Sequence, residues 1–162
     1  LTRDDRLGMA RLTASSPIAI MADEALRGPH DALQFVRDDA AHAFSLKPAQ
    51  AGGLFAARDV AAIAQAGRIA LYGGTMLEGS IGTAASAHLF ATLPAMAWGT
   101  ELFGPLLQTE EIMTEPLAYR DFTLAVPTGP GLGIAVDWDK VERFRREGPS
   151  RTVSGPNLRE NV

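Results

Sequence analysis

Residues 17–24 read Pro17-Ile18-Ala19-Ile20-Met21-Ala22-Asp23-Glu24, where a short apolar run, Pro17 to Met21, closes on two adjacent carboxylates. The construction returns three times. Ala43 to Leu46 meets Lys47-Pro48, Ile69 to Tyr72 meets Gly73-Gly74-Thr75, and Ala95 to Trp98 meets Gly99-Thr100-Glu101. None of the four runs alternates strictly between apolar and polar residues, so each is expected as a strand covered on both faces, as in a parallel sheet. The runs recur roughly every 25 residues, which leaves room for one crossover helix per strand. A βα unit repeated at this interval predicts an α/β chain, either doubly wound or closed into a barrel.

The intervening segments carry helical periodicity. Thr2 to Leu12 has a cap candidate in Thr2 and acids at Asp4 and Asp5. Pro29 to Asp38 is expected to bury Leu33, Phe35 and Val36. Leu54 to Ala66 sets Val60, Ile63 and Ala64 opposite Arg58, Asp59 and Gln65, and stops at Gly67. Ile81 to Leu93 is rich in Ala and ends at Pro94. Beyond Leu107 the pattern changes: Asp121 to Val126 and Ile134 to Asp137 read as short strands, and Lys140 to Arg146 as a charged helix. The opening helix has no strand before it, as expected of an α/β piece that has lost its preceding strand.

Composition narrows the function classes. The chain has 162 residues, with 15 Lys and Arg against 19 Asp and Glu, a net charge of -4 without basic clusters. Such a chain is poorly suited to phosphate backbones, so no nucleic-acid partner is expected. The lack of Cys excludes a disulfide scaffold, a thiolate ligand and a thiol nucleophile. The most apolar stretch, Ala84 to Trp98, is interrupted by His88 and Pro94 and is too short to span a bilayer. No secretory signal opens the sequence, so no membrane partner is expected and the expected compartment is the cytoplasm.

Each apolar run ends on a polar or glycine signal, and in βα barrels the C-terminal strand ends are where chemistry is built. Asp23 can be read as a ligand for a hard cation, or as a helix cap or salt-bridge partner. Lys47, kept extended by Pro48, can be read as a general acid or base, or as a lysine whose stem lies on apolar neighbours. Glu101 is a substrate hydrogen-bonding candidate or a solvated loop acid. Gly73-Gly74-Thr75 either admits a ligand close to the backbone or only turns tightly. Other candidates carry less. His30, His42 and His88 lack a second ligand at metal spacing, and Ser80 lacks a partnering His. Gly129 to Gly133 lacks the helix a dinucleotide loop needs, and Arg143, Arg145 and Arg146 read as a solvated face. What favours a site is the conjunction of carboxylate, amine and carboxylate on successive strand ends.

These motifs in order resemble the C-terminal half of the muconate cycloisomerases, in the mandelate racemase/muconate lactonizing enzyme family of the enolase superfamily. The matching stretches are Ile20-Met21-Ala22-Asp23-Glu24, Phe44-Ser45-Leu46-Lys47 and Tyr72-Gly73-Gly74-Thr75-Met76-Leu77. Ile81-Gly82-Thr83, Gly99-Thr100-Glu101-Leu102-Phe103-Gly104-Pro105 and Glu115-Pro116-Leu117 follow. The resemblance covers Leu1 to Arg146. It implies the C-terminal half of a modified TIM (β/α) barrel, about four βα units, plus a segment returning to a capping lobe. The implied division is 1–107 as partial barrel, 108–147 as C-terminal strands and a short helix packing on the capping lobe, and 148–162 as a disordered tail.

The implied reaction is metal-dependent interconversion of cis,cis-muconate and muconolactone through a stabilised enolate, in bacterial aromatic catabolism. Asp23 looks like the third of three carboxylate ligands to one Mn²⁺ or Mg²⁺, with Glu24 orienting the site. Lys47 looks like the lysine on the face opposite the proton-donating lysine, Glu101 like the acid that hydrogen-bonds substrate or enolate, and Thr75 like a substrate contact. The other metal ligands and the proton-donating lysine would lie upstream of Leu1. The chain alone is therefore expected to be inactive, and to need the missing N-terminal half of the barrel and the capping domain. The expected partners are a small dicarboxylate substrate and further copies in a homo-oligomer. Alternatives are a chloromuconate cycloisomerase, or a non-catalytic half-barrel acting only with its missing half.

Overall fold

Ala43-Phe44-Ser45-Leu46 is buried at every position and forms β2 (Ala43–Leu46), the centre of a three-stranded parallel sheet. A computed structural model describes residues 1–94 and 96–145. β1 (Met21–Ala22) and β3 (Ala70–Gly73) flank β2, in the order β1-β2-β3, with Ala22 level with Phe44 and Leu46 level with Gly73. Burial on both sides explains why the β2 run lacks strict alternation, while β3 alternates between half-buried and buried positions.

Helices cover one face. α1 (Arg6–Ser15) precedes the sheet, and α2 (Pro29–Arg37) links β1 to β2. α3 (Pro48–Ala51) and α4 (Leu54–Ala66) link β2 to β3, and α5 (Ser80–Ala91) follows β3. α4 buries Ala57, Val60, Ala61 and Ala64, a helical-period stripe whose small residues let it lie close to the sheet and α2. Phe35 of α2 meets Phe44 edge to face, with centroids 6.1 Å apart and planes at 80°. With Leu46, Val60 and Leu71 these rings make the core, each contributing about 1.5–3 kcal/mol by burial.

The observed helix limits differ modestly from expectation. α1 starts at Arg6 and is capped by Asp5, whose Oδ1 accepts from the Gly8 N–H at 2.8 Å, and Thr2 is not the cap. In α2 the buried residues are Ala32 and Phe35, while Leu33 is 55% exposed on the outer side. α3 is a short helix that the periodicity did not signal.

The fourth run departs most from expectation. Residues 97–98 form a turn, and Ala95 lies outside the described residues. The extended pairing comes one step later: Gly73 N–H donates to Gly99 O at 3.0 Å and Glu101 N–H to Gly73 O at 2.9 Å. Gly73 and Thr100 thus form a parallel bridge. Gly99, at φ 76°, makes the bend that delays the pairing.

After a 3₁₀ turn at Gly104–Leu107, β4 (Tyr119–Arg120) and β5 (Thr123–Leu124) form an antiparallel hairpin. The strand expected over Asp121 to Val126 is shorter, because Asp121 (φ 49°) and Phe122 (φ 61°) are the two turn residues. Residues 134–137 run beside 112–114, joined by a Met113–Val136 bridge. α6 (Trp138–Phe144) is capped by Asp137, which accepts from the N–H groups of Asp139 and Lys140 at 3.1 Å each. The expected tail over 148–162 lies outside the described residues, as does Arg146. Among the described residues no helix is long and apolar enough to cross a membrane.

Candidate functional site

Strand register decides which side chains meet. Leu46 is level with Gly73, and Gly73 with Thr100, so Lys47, Gly74 and Glu101 follow at one height on three neighbouring chains. Side chains alternate along a strand, so Ser45 and Lys47 share one face with Tyr72 and Gly74. Phe44, Leu46 and Leu71 take the helix-covered face. The polar face is therefore the one opposite the helices.

Lys47 is only 5% exposed. Its Nζ lies 2.6 Å from Asp23 Oδ1 and 2.7 Å from Glu24 Oε1. The ammonium donates a hydrogen bond to Glu24 and forms an ion pair of similar length with Asp23. Burial pushes the ammonium pKa down, but the carboxylates of Asp23 and Glu24 outweigh it and hold the pKa above the ordinary lysine value. The geometry suits a cationic lysine in an ion-paired cluster, which neither residue-level reading named, better than a base poised near neutrality.

Glu101 sits beside the end of β3, where its Oε1 accepts from the Thr75 N–H at 3.3 Å. The Thr75 hydroxyl is engaged locally: it donates to Glu78 Oε2 and accepts from the Leu77 N–H at 2.9 Å. Thr75 thus reaches Glu101 through its backbone. Asp23, Glu24 and Lys47 come together directly, whereas Glu101 and Thr75 form an adjoining pair.

Tyr72 is a residue that sequence reasoning passed over. Burial first, then the charge and hydrogen bond of Glu101, and then the charge of Asp23 raise its phenol pKa. The phenol therefore stays protonated beside these carboxylates. Its parity with Gly74, two positions on in the same strand, was the available signal.

The donor chemistry suits a hard divalent cation in part. Asp23 Oδ1 is withdrawn from solvent and faces the Lys47 ammonium at 2.6 Å, and carboxylate oxygens are the ligands such ions take. Among the described residues no group of three His, Cys, Asp or Glu is placed to hold a metal. Two of the histidines make local contacts: His42 Nδ1 accepts from the Ile20 N–H at 3.0 Å, and His88 Nε2 lies 3.1 Å from Leu132 O. Ser80 is buried at the start of α5, with its N–H bonded to Glu111 Oε1 at 2.9 Å. The turn at 129–133 closes with the Gly133 N–H donating to Pro130 O at 3.0 Å. A cleft of about 740 Å³ between 114–118 and 125–135 has Glu115 as its one titratable lining residue.

Parallel βα units with polar residues gathered at the C-terminal strand ends define a part of a (β/α)-barrel domain, and the chain belongs to the enolase C-terminal domain-like family, which matches residues 1–140. Its similarities are narrower than that class. It is 58% identical over 147 residues to muconate cycloisomerase 1-2 of Acinetobacter lwoffii, covering 91% of this chain and 38% of that protein. A chloromuconate cycloisomerase of Cupriavidus necator is 44% identical over 138 residues, covering 85% of this chain and 37% of that one. Among solved structures, the muconate cycloisomerase of Pseudomonas fluorescens superimposes with a TM-score of 0.88 at 55% identity, covering 91% of this chain and 41% of that chain. The muconate lactonizing enzyme of the same species complexed with muconolactone gives 0.87 at 55% identity, covering 90% and 39%. The chain thus spans about two fifths of the proteins it matches.

Proposed function

We propose that the intact protein containing this chain is a cycloisomerase that interconverts cis,cis-muconate and muconolactone. The observation that carries the reading is the buried Lys47 ammonium, held 2.6 Å from Asp23 and 2.7 Å from Glu24. It lies at strand ends of a fold shared with a structure complexed with muconolactone. The identity of 58% to a muconate cycloisomerase against 44% to a chloromuconate cycloisomerase favours the unchlorinated substrate.

A divalent cation, Mn²⁺ or Mg²⁺, supplies Lewis-acid charge when bound. Asp23 would be this chain's ligand, with Glu24 beside it fixing the local charge; the remaining ligands would come from outside the chain. In the forward reaction a muconate carboxylate oxygen adds to its own double bond, and the π pair moves into the other carboxylate as an enolate. An acid from outside this chain would then protonate the α-carbon, so the muconate dianion takes up one proton to become the lactone monoanion, with no water or redox partner consumed. The fixed positive charge of Lys47 stabilises that developing negative charge. Glu101 and the protonated Tyr72 orient substrate oxygens, and Thr75 keeps Glu101 in place.

Residues 1–107 form the barrel part of this machinery, and 108–147 pack on a capping lobe. The 162-residue chain alone is inactive, and the intact protein works as a homo-oligomer. The test is turnover by the intact protein, followed as loss of muconate absorbance with the lactone identified by NMR, before and after chelation. Faster turnover of a chlorinated muconate would move the assignment to the chloromuconate branch. Turnover that survives complete chelation would sink the metal-dependent reading. Activity from the 162-residue chain alone would overturn the need for a partner half.

A further inference from the structure

The turn that presents Asp23 and Glu24 is fixed from below by a side chain that the reaction scheme does not use. Gln50, half-buried in α3, donates from Nε2 to Asp23 O and to Leu26 O, at 2.9 Å each. The Leu26 N–H donates to the same Asp23 carbonyl at 2.9 Å. Three residues before Gln50, Lys47 reaches the side chains of that turn. One short stretch, Lys47-Pro48-Ala49-Gln50, therefore grips the Asp23–Leu26 turn twice: the ammonium on its carboxylates and the amide on its carbonyls. The amide supplies one N–H to each carbonyl, so this task uses both of its donors.

We propose that Gln50 is a positioning residue: its two donors fix the Asp23–Leu26 turn so that the Asp23 carboxylate stays turned inward, able to ligate a divalent cation, and Glu24 stays on Lys47. The inference rests on the proposed function for the cation and for the substrate, but its donor requirement can be read separately. Partners that orient a metal ligand typically change metal affinity by about 10–100-fold when lost.

The experiment uses the intact protein and three variants: Gln50→Ala, Gln50→Glu, which is close in shape but lacks the donors, and Gln50→Lys, which keeps donors on a different frame. Mn²⁺ affinity is measured by calorimetry without substrate, kcat and KM with cis,cis-muconate, and amide hydrogen exchange over residues 23–26. Gln50→Ala and Gln50→Glu are expected to weaken Mn²⁺ binding about tenfold. They should also lower kcat more than they change KM and speed exchange at Leu26. Gln50→Lys is expected to recover most of each loss. Native Mn²⁺ affinity in Gln50→Glu, or a Gln50→Lys variant no better than Gln50→Ala, overturns the proposal. Should Gln50→Ala not fold, the comparison of Gln50→Glu with Gln50→Lys decides it. A protein that binds Mn²⁺ but leaves muconate unchanged would sink the cycloisomerase reading and leave Gln50 to the binding and exchange data. A protein that binds no Mn²⁺ overturns the inference as stated.

Discussion

Lys47 lies across the bare Cα of Gly74. A methyl group at Gly74 would come within 2.8 Å of Lys47 Cγ and 3.0 Å of Lys47 Cε, and within 2.3 Å of Ser45 Oγ. The glycine is required here by close approach rather than by an unusual backbone angle. It leaves the slot in which the lysine stem rests.

Gly74→Ala is therefore expected to push the Lys47 ammonium off Asp23 and Glu24 while leaving the sheet in register. Displacement of about 1 Å at a reacting centre can cost on the order of 100-fold. In the intact protein kcat with muconate should fall by about 10- to 100-fold, with a smaller change in melting temperature. Native kcat in this variant would show that the Lys47 position is not critical.

Lys47→Met should lower turnover by at least about 100-fold. A second readout is alkaline stability without added cation. The folded-state pKa of Lys47 is raised above the ordinary 10.5. Its contribution to stability is then fully present below pH 10.5 and is lost as pH rises through the higher folded value. Denaturant unfolding above pH 10.5 should show a decline in the native protein that Lys47→Met lacks. Parallel curves would count against the ion-paired cluster.

Asp38 ties α1 to α2. Its Oδ2 accepts from Arg6 Nε at 2.5 Å and its Oδ1 from Arg37 Nε at 2.9 Å. The hydrogen bond from Arg37, followed by that from Arg6, lowers its pKa from 3.8 to about 2. A depressed carboxyl stabilises above its unfolded value and loses that contribution as pH falls through the folded one. Asp38→Asn should melt below the native protein at pH 7. The gap should close between pH 3.8 and about 2, as read by thermal unfolding across that range.

Phe44 is fully buried against Phe35 in the middle strand. Phe44→Ala removes apolar contact and leaves a cavity that the packed α4 helix cannot readily fill. The expected cost is about 3–5 kcal/mol, measured by urea unfolding of the intact protein. A loss under about 1 kcal/mol would mean that the site collapses freely.

The parallel βα order was legible because its signals are local. Phe44 and Leu46 lie in a run buried at every position, and Leu54–Ala66 is bounded by Gly53 and Gly67. Asp23 and Lys47 stood out for the same reason, since each closely follows an apolar run, whereas Glu101 comes three residues after Trp98. The fourth strand was misplaced because Ala97 and Trp98 are apolar without being inside. Trp98 is 47% exposed in a turn, and pairing waits for Gly99. Apolarity marks what can be buried, while hydrogen-bond register marks what is paired.

The sequence by itself determined the repeat, the central buried strand and the residue types available at the strand ends. Only the tertiary structure decided how they combine. Register across β1, β2 and β3 brings Lys47 to both Asp23 and Glu24, and sets Tyr72 level with Ser45 on the same face. It also places Gln50 under the Asp23 turn, 27 residues away along the chain. Strand propensity and cap chemistry act over a few residues and can be read in order. A charge cluster forms only where backbone hydrogen bonds fix separate strands at one height, and no single stretch of sequence holds that information.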